Sequence, residues 1–218
     1  MYDAQRFSGT RKLPVVFDVG ANIGQTLRGL LRYFPRSSIY SFEPVSASFR
    51  TLTTRYGGRP NVRLVQKAFG ECPGVTRMQL HSDSELNTLV AEHPRMDDLT
   101  GESENITVDT IDSFCVSEGI ESIDILKLDV QGWELKAIRG AAEMIRKRHI
   151  RLVFSEVGFR RRDGDLQHFA ELNDHLEENG FWLSGFYDEY RWGESRKYLG
   201  FASALYINPD FPGTSVQS

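Results

Sequence analysis

Three features of the sequence predict an α/β fold with a mostly parallel sheet and helices on both faces. Short apolar runs rich in β-branched residues recur along the chain, amphipathic stretches separate them, and the early runs are continuously rather than alternately hydrophobic. Continuous hydrophobicity marks strands covered on both sides, as in a parallel sheet whose crossovers are helices.

The elements follow in order. "PVVFDVG" is the first strand, and a helix over Gln25–Tyr33 ends before Pro35. "SIYSFEP" is the second strand, with Ser46 able to cap a helix over Ser46–Tyr56. "VRLVQKAFG" reads as a third strand and "VTRMQL" as another, before a polar excursion at about 81–105 that such a domain keeps for function or mobility. A helix over Thr110–Ser117, followed by Gly119, leads into "IDILKLDV". Helices over Gly132–Arg148 and Leu166–Asn179 flank "IRLVFSEV", the second followed by Gly180. Between "FWLSGFY" and "FASALYI" there is no helical stretch, only "SGFYDEYRWGESRKYLG", which reads as a loop or hairpin. The sheet is therefore expected to end on an antiparallel strand.

Composition narrows the function classes. A chain of 218 residues with 40% hydrophobic residues can bury one sizeable core, so a single domain over 1–218 is expected. Its net charge of −4 gives no long-range pull on a polyanion, which argues against nucleic acid as partner. Cys72 and Cys115 are far apart and lie in no CxxC or Cys/His pattern, so neither a disulfide framework nor structural zinc is indicated. "MYDAQRFSGTRK" has no apolar core of signal-peptide length and no later run has the length to span a bilayer, so a soluble, cytoplasmic protein without a membrane partner is expected. Oligomeric state is left open.

The chemistry begins in "VVFDVGANIGQT", where Asp18 precedes Gly20 and Gly24 at the end of a buried strand. Small residues in a strand–turn–helix let backbone N–H groups approach a polar ligand beyond the strand ends. The spacing Gly-Ala-Asn-Ile-Gly breaks the G-x-G-x-x-G fingerprint, and an acid at this point disfavours phosphate. It suits a ligand carrying positive charge. Glu43, ending "SIYSFEP" roughly twenty residues on, is placed to accept hydrogen bonds from ribose hydroxyls. A cationic ribose ligand points to S-adenosylmethionine, with Asp18, Gly20 and Asn22 around its methionine part and Gly24 also among the cofactor-binding residues. Ala68 and Phe69 of "KAFGE" would then lie beside adenine.

At these residues the sequence resembles the FkbM-type methyltransferases, within the class I S-adenosylmethionine-dependent, Rossmann-like fold. The resemblance runs through "FDVGANIGQT", "FEP", "KAFGE", "VDTIDSF", "IDILKLDVQGWELKAIRGA", "VFSEVGF", "NGFWL" and "ASALYI", with "LKLDVQGWE" the most specific segment. It implies a seven-stranded sheet with an antiparallel last strand, and O-methylation of a sugar or another natural-product hydroxyl. Many relatives carry Glu where Gln131 stands here, which removes a possible charge from the site.

Asp129, at the end of the fourth large strand, should face the sulfonium and a small-molecule acceptor. Glu156, after an apolar run, is either a candidate base with a raised pKa or an anchor for the next loop. Glu134 in a first helical turn reads as a helix-end charge or an acceptor contact. His81, Asn87 and His93 in the polar excursion are candidate acceptor contacts. Trp133 reads as packing, Lys127 needs a partner if buried, and Arg160, Arg161 and Arg162 form a solvated face or an anion contact. Tyr190 and Trp192 fall in the closing loop, on the rim or near the acceptor. Asp129 and Glu156 without Glu at position 131 make a sparse Mg²⁺ site at best. A nicotinamide-dependent oxidoreductase would share the βαβ site but not its glycine spacing. A non-catalytic S-adenosylmethionine-binding module is the other alternative.

Overall fold

The computed structural model describes residues 13–81, 99–161 and 166–212. In chain order these form β1 (Val15–Val19), α1 (Gln25–Tyr33), β2 (Ser38–Phe42), α2 (Ser46–Tyr56), β3 (Val62–Val65), β4 (Ala68–Phe69), β5 (Gly74–His81) and β6 (Leu99–Asp109). They continue with α3 (Ile111–Glu118), β7 (Ile123–Leu128), α4 (Glu134–Arg139), α5 (Ala142–Arg146), β8 (Ile150–Gly158), α6 (Phe169–Glu178), β9 (Trp182–Trp192) and β10 (Tyr198–Ile207).

A seven-stranded sheet runs in the order β3-β2-β1-β7-β8-β10-β9. Its first five strands are parallel and β10 pairs antiparallel with β8, as the patterning predicts. Strand alternation supplies the two faces. Val16, Ile125 and Leu152 pack with Leu27 and Leu30 of α1 and Leu52 of α2. Phe17, Leu126 and Val153 point the other way, onto Phe114 of α3, Ile138 of α4 and Leu172 of α6. β7 is buried along its whole length, which is why "IDILKL" shows no alternation.

The structure departs from expectation in several places. "VRLVQKAFG" divides: β3 stays in the large sheet, whereas β4 joins a second sheet ordered β4-β6-β5. Residues 99–105 of the expected polar excursion belong to β6 and pair antiparallel with β5. Only one side of this small sheet is apolar, with Met78, Ile106 and Val108 packed on Val45 and Ala68. The polar residues alternating with them hide the strand in the sequence. The helix expected over Gly132–Arg148 is broken into α4 and α5 at Gly140, which lies so close to the Gly70 carbonyl that a Cβ would sit 2.1 Å from it. Ser46 is the first residue of α2 rather than its cap, and the Glu104 carboxylate accepts its N–H at 3.2 Å and its hydroxyl as well. His168 caps α6 by accepting the Ala170 N–H at Nδ1.

"SGFYDEYRWGESRKYLG" is a long hairpin, so Tyr190 and Trp192 lie on β9 and not in a loop. Asn87, His93 and Arg162 lie outside the described residues, as does the side chain of His81. Arg161 reaches Glu171 at 3.5 Å on the surface. Among the described residues no helix is long and apolar enough to cross a membrane.

Candidate functional site

A cavity opens at the carboxyl ends of β1, β2, β7 and β8, where parallel strands and the turns after them leave a crevice. The turn after β1 forms one side. Gly20 and Ala21 donate their N–H groups to the Phe42 carbonyl at 3.0 and 2.9 Å, which holds the turn against β2. Gly20 has φ 77 and lies against β7, where a Cβ would come within 1.8 Å of the Asp129 carbonyl oxygen. Only glycine meets both demands. Asn22, with φ 47, donates its backbone N–H to Glu43 Oε2 at 2.9 Å. Its side-chain amide lines the cavity with both polar atoms buried and no hydrogen bond.

Glu43 accepts a second N–H, from Val45 to Oε1 at 2.8 Å, and is 6% exposed at the cavity wall. Burial pushes its pKa up to about 7, against the pull of the two N–H groups. Ala68 and Phe69 line the same cavity from β4, beside Val45, Met78 and Trp133. Phe69 is fixed by the aromatic cluster beneath, its centroid 4.6 Å from that of Phe42. Trp133, read as packing, packs on the small sheet's apolar side, lines the cavity, and its ring lies 3.6 Å from the Lys136 ammonium.

Two of the expected cofactor residues stand elsewhere. Asp18 is fully buried behind the cavity wall, its Oδ1 3.3 Å from Lys127 Nζ and its Oδ2 accepting the Ser41 hydroxyl at 3.4 Å. It therefore answers a buried lysine and not the ligand's charge. Gly24 is also buried and begins α1 at φ 94, where a Cβ would strike the Tyr56 ring at 2.3 Å. Its role is helix packing.

Lys127 is the residue whose part was missed, though its place within "IDILKL" was the signal. Its ammonium lies 3.3 Å from Asp18 and 3.4 Å from Asp129, and it donates to the Gly20 carbonyl at 3.2 Å. Burial pulls its pKa down, yet Asp129 and Asp18 together hold it above the ordinary lysine value. One buried cation thus ties the turn after β1 to the end of β7.

Asp129 and Glu156 both face the cavity. Gln131, at φ 52, stands between them, its amide Nε2 donating to Asp129 Oδ1 at 3.2 Å and Glu156 Oε2 at 3.4 Å. Burial, then the charges of Asp129 and Glu134, pushes the Glu156 pKa up to about 8. Glu134, a candidate acceptor contact, is 1% exposed and turns inward, where Oε1 accepts the Val130 N–H at 2.8 Å. It closes the loop after β7, and burial lifts its pKa to about 7. The donor set does not fit Mg²⁺: an amide N–H occupies the space between the two carboxylates, and among the described residues no group of three or more His, Cys, Asp or Glu could hold a metal ion.

These shifts fix a pH dependence. Glu43 and Glu134, ordinarily near 4.5, titrate at about 7, and Glu156 at about 8. Between the ordinary and raised values the folded protein keeps protons that the unfolded chain has released, so rising pH favours unfolding. The cofactor-free protein is expected to melt at a lower temperature at pH 8 than at pH 5.5. A melting temperature that rises over that interval contradicts this reading of the carboxyls.

The Methyltransferase FkbM domain model matches residues 18–183 of the chain. The 2-O-methyltransferase NoeI of Sinorhizobium fredii is 28% identical, over 66% of this chain and 63% of its own length. The 31-O-demethyl-FK506 methyltransferase FkbM of Streptomyces tacrolimicus is 28% identical, over 66% of this chain and 65% of its own. The chain spans between 57% and 65% of the length of the curated relatives it matches. A solved rRNA methylase from Streptococcus thermophilus is 12% identical with a TM-score of 0.48, covering 94% of this chain and 91% of that one.

Proposed function

This chain belongs to the FkbM methyltransferase family, and on that premise we propose that it binds S-adenosylmethionine in the cavity and methylates a hydroxyl of a small molecule, a sugar or glycosylated metabolite. We read residues 1–218 as one methyltransferase domain. The observation that carries the cofactor assignment is the Asn22 amide, buried at the cavity wall without a hydrogen bond beside a turn that excludes side chains. A buried amide needs a partner, and a ligand with carboxylate and ammonium groups supplies one. The turn of Gly20, Ala21 and Asn22 would hold that amino-acid portion. Glu43 keeps acceptor capacity for ribose hydroxyls, and Ala68 and Phe69 offer an apolar wall to the base. The names of the two relatives describe transfer to oxygen, which favours a hydroxyl acceptor.

The cofactor's sulfonium supplies an activated methyl group and a good leaving group, so the protein's task is alignment, exclusion of water and removal of one proton. Glu156 is suited to accept the hydroxyl proton at a carboxylate oxygen, since it lines the cavity and burial outweighs the pull of Lys127 on its pKa. Asp129, with Lys127 on one oxygen and Gln131 on the other, is held to orient the acceptor.

Titration calorimetry with S-adenosylmethionine, S-adenosylhomocysteine and NADH, followed by product mass against a panel of glycosides, tests the assignment. The first two ligands should bind and one glycoside should gain the mass of a methylene. Gly20→Val should abolish cofactor binding, since its side chain cannot clear the Asp129 carbonyl. Binding of NADH with none of S-adenosylmethionine overturns the proposal.

A further inference from the structure

The closing hairpin carries an arrangement of aromatic side chains that the cofactor cavity does not use. In the antiparallel pairing of β10 with β8, Ser203 lies opposite Glu156 and Phe201 opposite Gly158. Opposite residues share a face, so Phe201 stands on the Glu156 side of the sheet, two residues nearer its carboxyl edge. Strand spacings place the two Cα atoms about 8 Å apart. On β9, Tyr187 pairs with Ser203 and Tyr190 with Phe201. Three residues on β9 therefore span two on β10, and Asp188, at φ 51, marks the bulge. Without that extra residue Tyr187 and Tyr190 would point to opposite faces; with it both point to the face of Glu156.

The rings above Glu156 form one assembly. Tyr190 stacks on Phe201 with centroids 4.9 Å apart and planes at 11°, and Trp192 meets Tyr190 edge-on at 4.7 Å. Trp192 is seated over Gly200, where a Cβ would come within 2.0 Å of its Nε1. Tyr190 remains 43% exposed although Phe201 covers one of its faces. The intervening residues Glu189 and Arg191 point away and pair with each other at 3.0 Å. The hairpin thus has one aromatic and one charged side, and the pairs Leu199–Arg191 and Tyr198–Trp192 carry it past the end of β8.

We propose that Tyr190, Trp192 and Phe201 are the platform on which a pyranose ring of the acceptor lies while one of its hydroxyls meets Glu156. A pyranose has a face of C–H groups and a rim of hydroxyls, so it matches an aromatic face bordered by a carboxylate. The stack gives area and a plane, and the carboxylate selects the hydroxyl that reaches it. The bulge at Asp188 is the device that aims Tyr190 at this side.

The inference rests on the O-methyltransferase reading, and the test separates the two. Aromatic protons of the protein are saturated in the presence of S-adenosylhomocysteine and methyl pyranosides of several stereochemistries, and transfer to the sugar C–H protons is recorded by NMR. The parent protein should show transfer to at least one pyranoside. Tyr190→Leu, which keeps an apolar contact with Phe201 but loses the ring, should reduce transfer to background. The same variant should raise acceptor KM about tenfold, the size of one well-placed stacking contact, with kcat and cofactor affinity near parental. Tyr190→Phe should restore the parental values. Transfer to a pyranoside without any methylated product would leave the platform standing and remove the enzymatic reading. Turnover of an acceptor with the same KM in a folded Tyr190→Leu protein, or no pyranoside contact in the parent, would overturn the platform. So would a Tyr190→Leu protein that changes only self-association.

Discussion

Glu156→Gln is expected to leave the fold and cofactor affinity near parental and to slow methyl transfer by about 10²–10⁴-fold, the usual contribution of a positioned proton acceptor. The substitution keeps the shape of the side chain and its polar contact with Gln131, so packing is not the variable. Proton affinity is. Burial and the neighbouring charges of Asp129 and Glu134 put the Glu156 carboxyl at about 8 in the cofactor-free protein. The rate of the parent should therefore climb with pH along a limb set by Glu156. A bound sulfonium cation opposes burial and moves that limb below 8, because positive charge favours the carboxylate. In Glu156→Gln the limb should vanish along with most of the rate. Single-turnover rates from pH 6 to 9, in EDTA and in Mg²⁺, make the comparison. A parental rate in the folded variant would remove Glu156 as the base, and a rate that collapses in EDTA would restore a metal to the site.

Legibility in the sequence followed the range of the interactions. α1 and α2 begin and end where the pattern places them, because amphipathic periodicity and local punctuation suffice over nine or eleven residues. The parallel core was legible from strands buried on both faces, and the antiparallel ending from the missing helix before β10. β6 was not, since its exposed side is polar and it is held extended by its pairing with β4 and β5. Glu43, Ala68 and Phe69 line one cavity, at the edge where strand ends in this topology converge. Asp18 was assigned to the ligand because an acid at a strand end before a turn of small residues suits a ligand carrying positive charge. Its partner, Lys127, comes from β7, and the pairing of β1 with β7 is a tertiary fact. The bulge at Asp188 left no pattern at all; one extra residue in a strand is visible only against the partner's register.

Lys127→Met should be strongly destabilising. The lysine side chain is 5% exposed and that of Asp18 is 0% exposed, so removing the ammonium strands a carboxylate in the interior beneath the cavity. Breaking a buried pair from one side costs about 3–5 kcal/mol, mostly the uncompensated charge. Adding Asp18→Asn to Lys127→Met should return a large part of that loss, because the neutral amide no longer needs a counterion. The double variant is therefore expected to be more stable than Lys127→Met alone. pH supplies an independent check. Burial already raises the Asp18 pKa against the pull of Lys127, and without the lysine it rises further. The folded variant then takes up a proton that the unfolded chain lacks, so the deficit of Lys127→Met should narrow as pH falls from 8 to 5.5. Lys127 also donates to the Gly20 carbonyl and pairs with Asp129, so both variants should bind S-adenosylmethionine more weakly than the parent even where they fold. Urea denaturation of the parent, both single variants and the double variant at the two pH values gives the full cycle. A loss below about 1 kcal/mol in Lys127→Met, or simple additivity in the double variant, would show that the ion pair does not hold the turn to the end of β7.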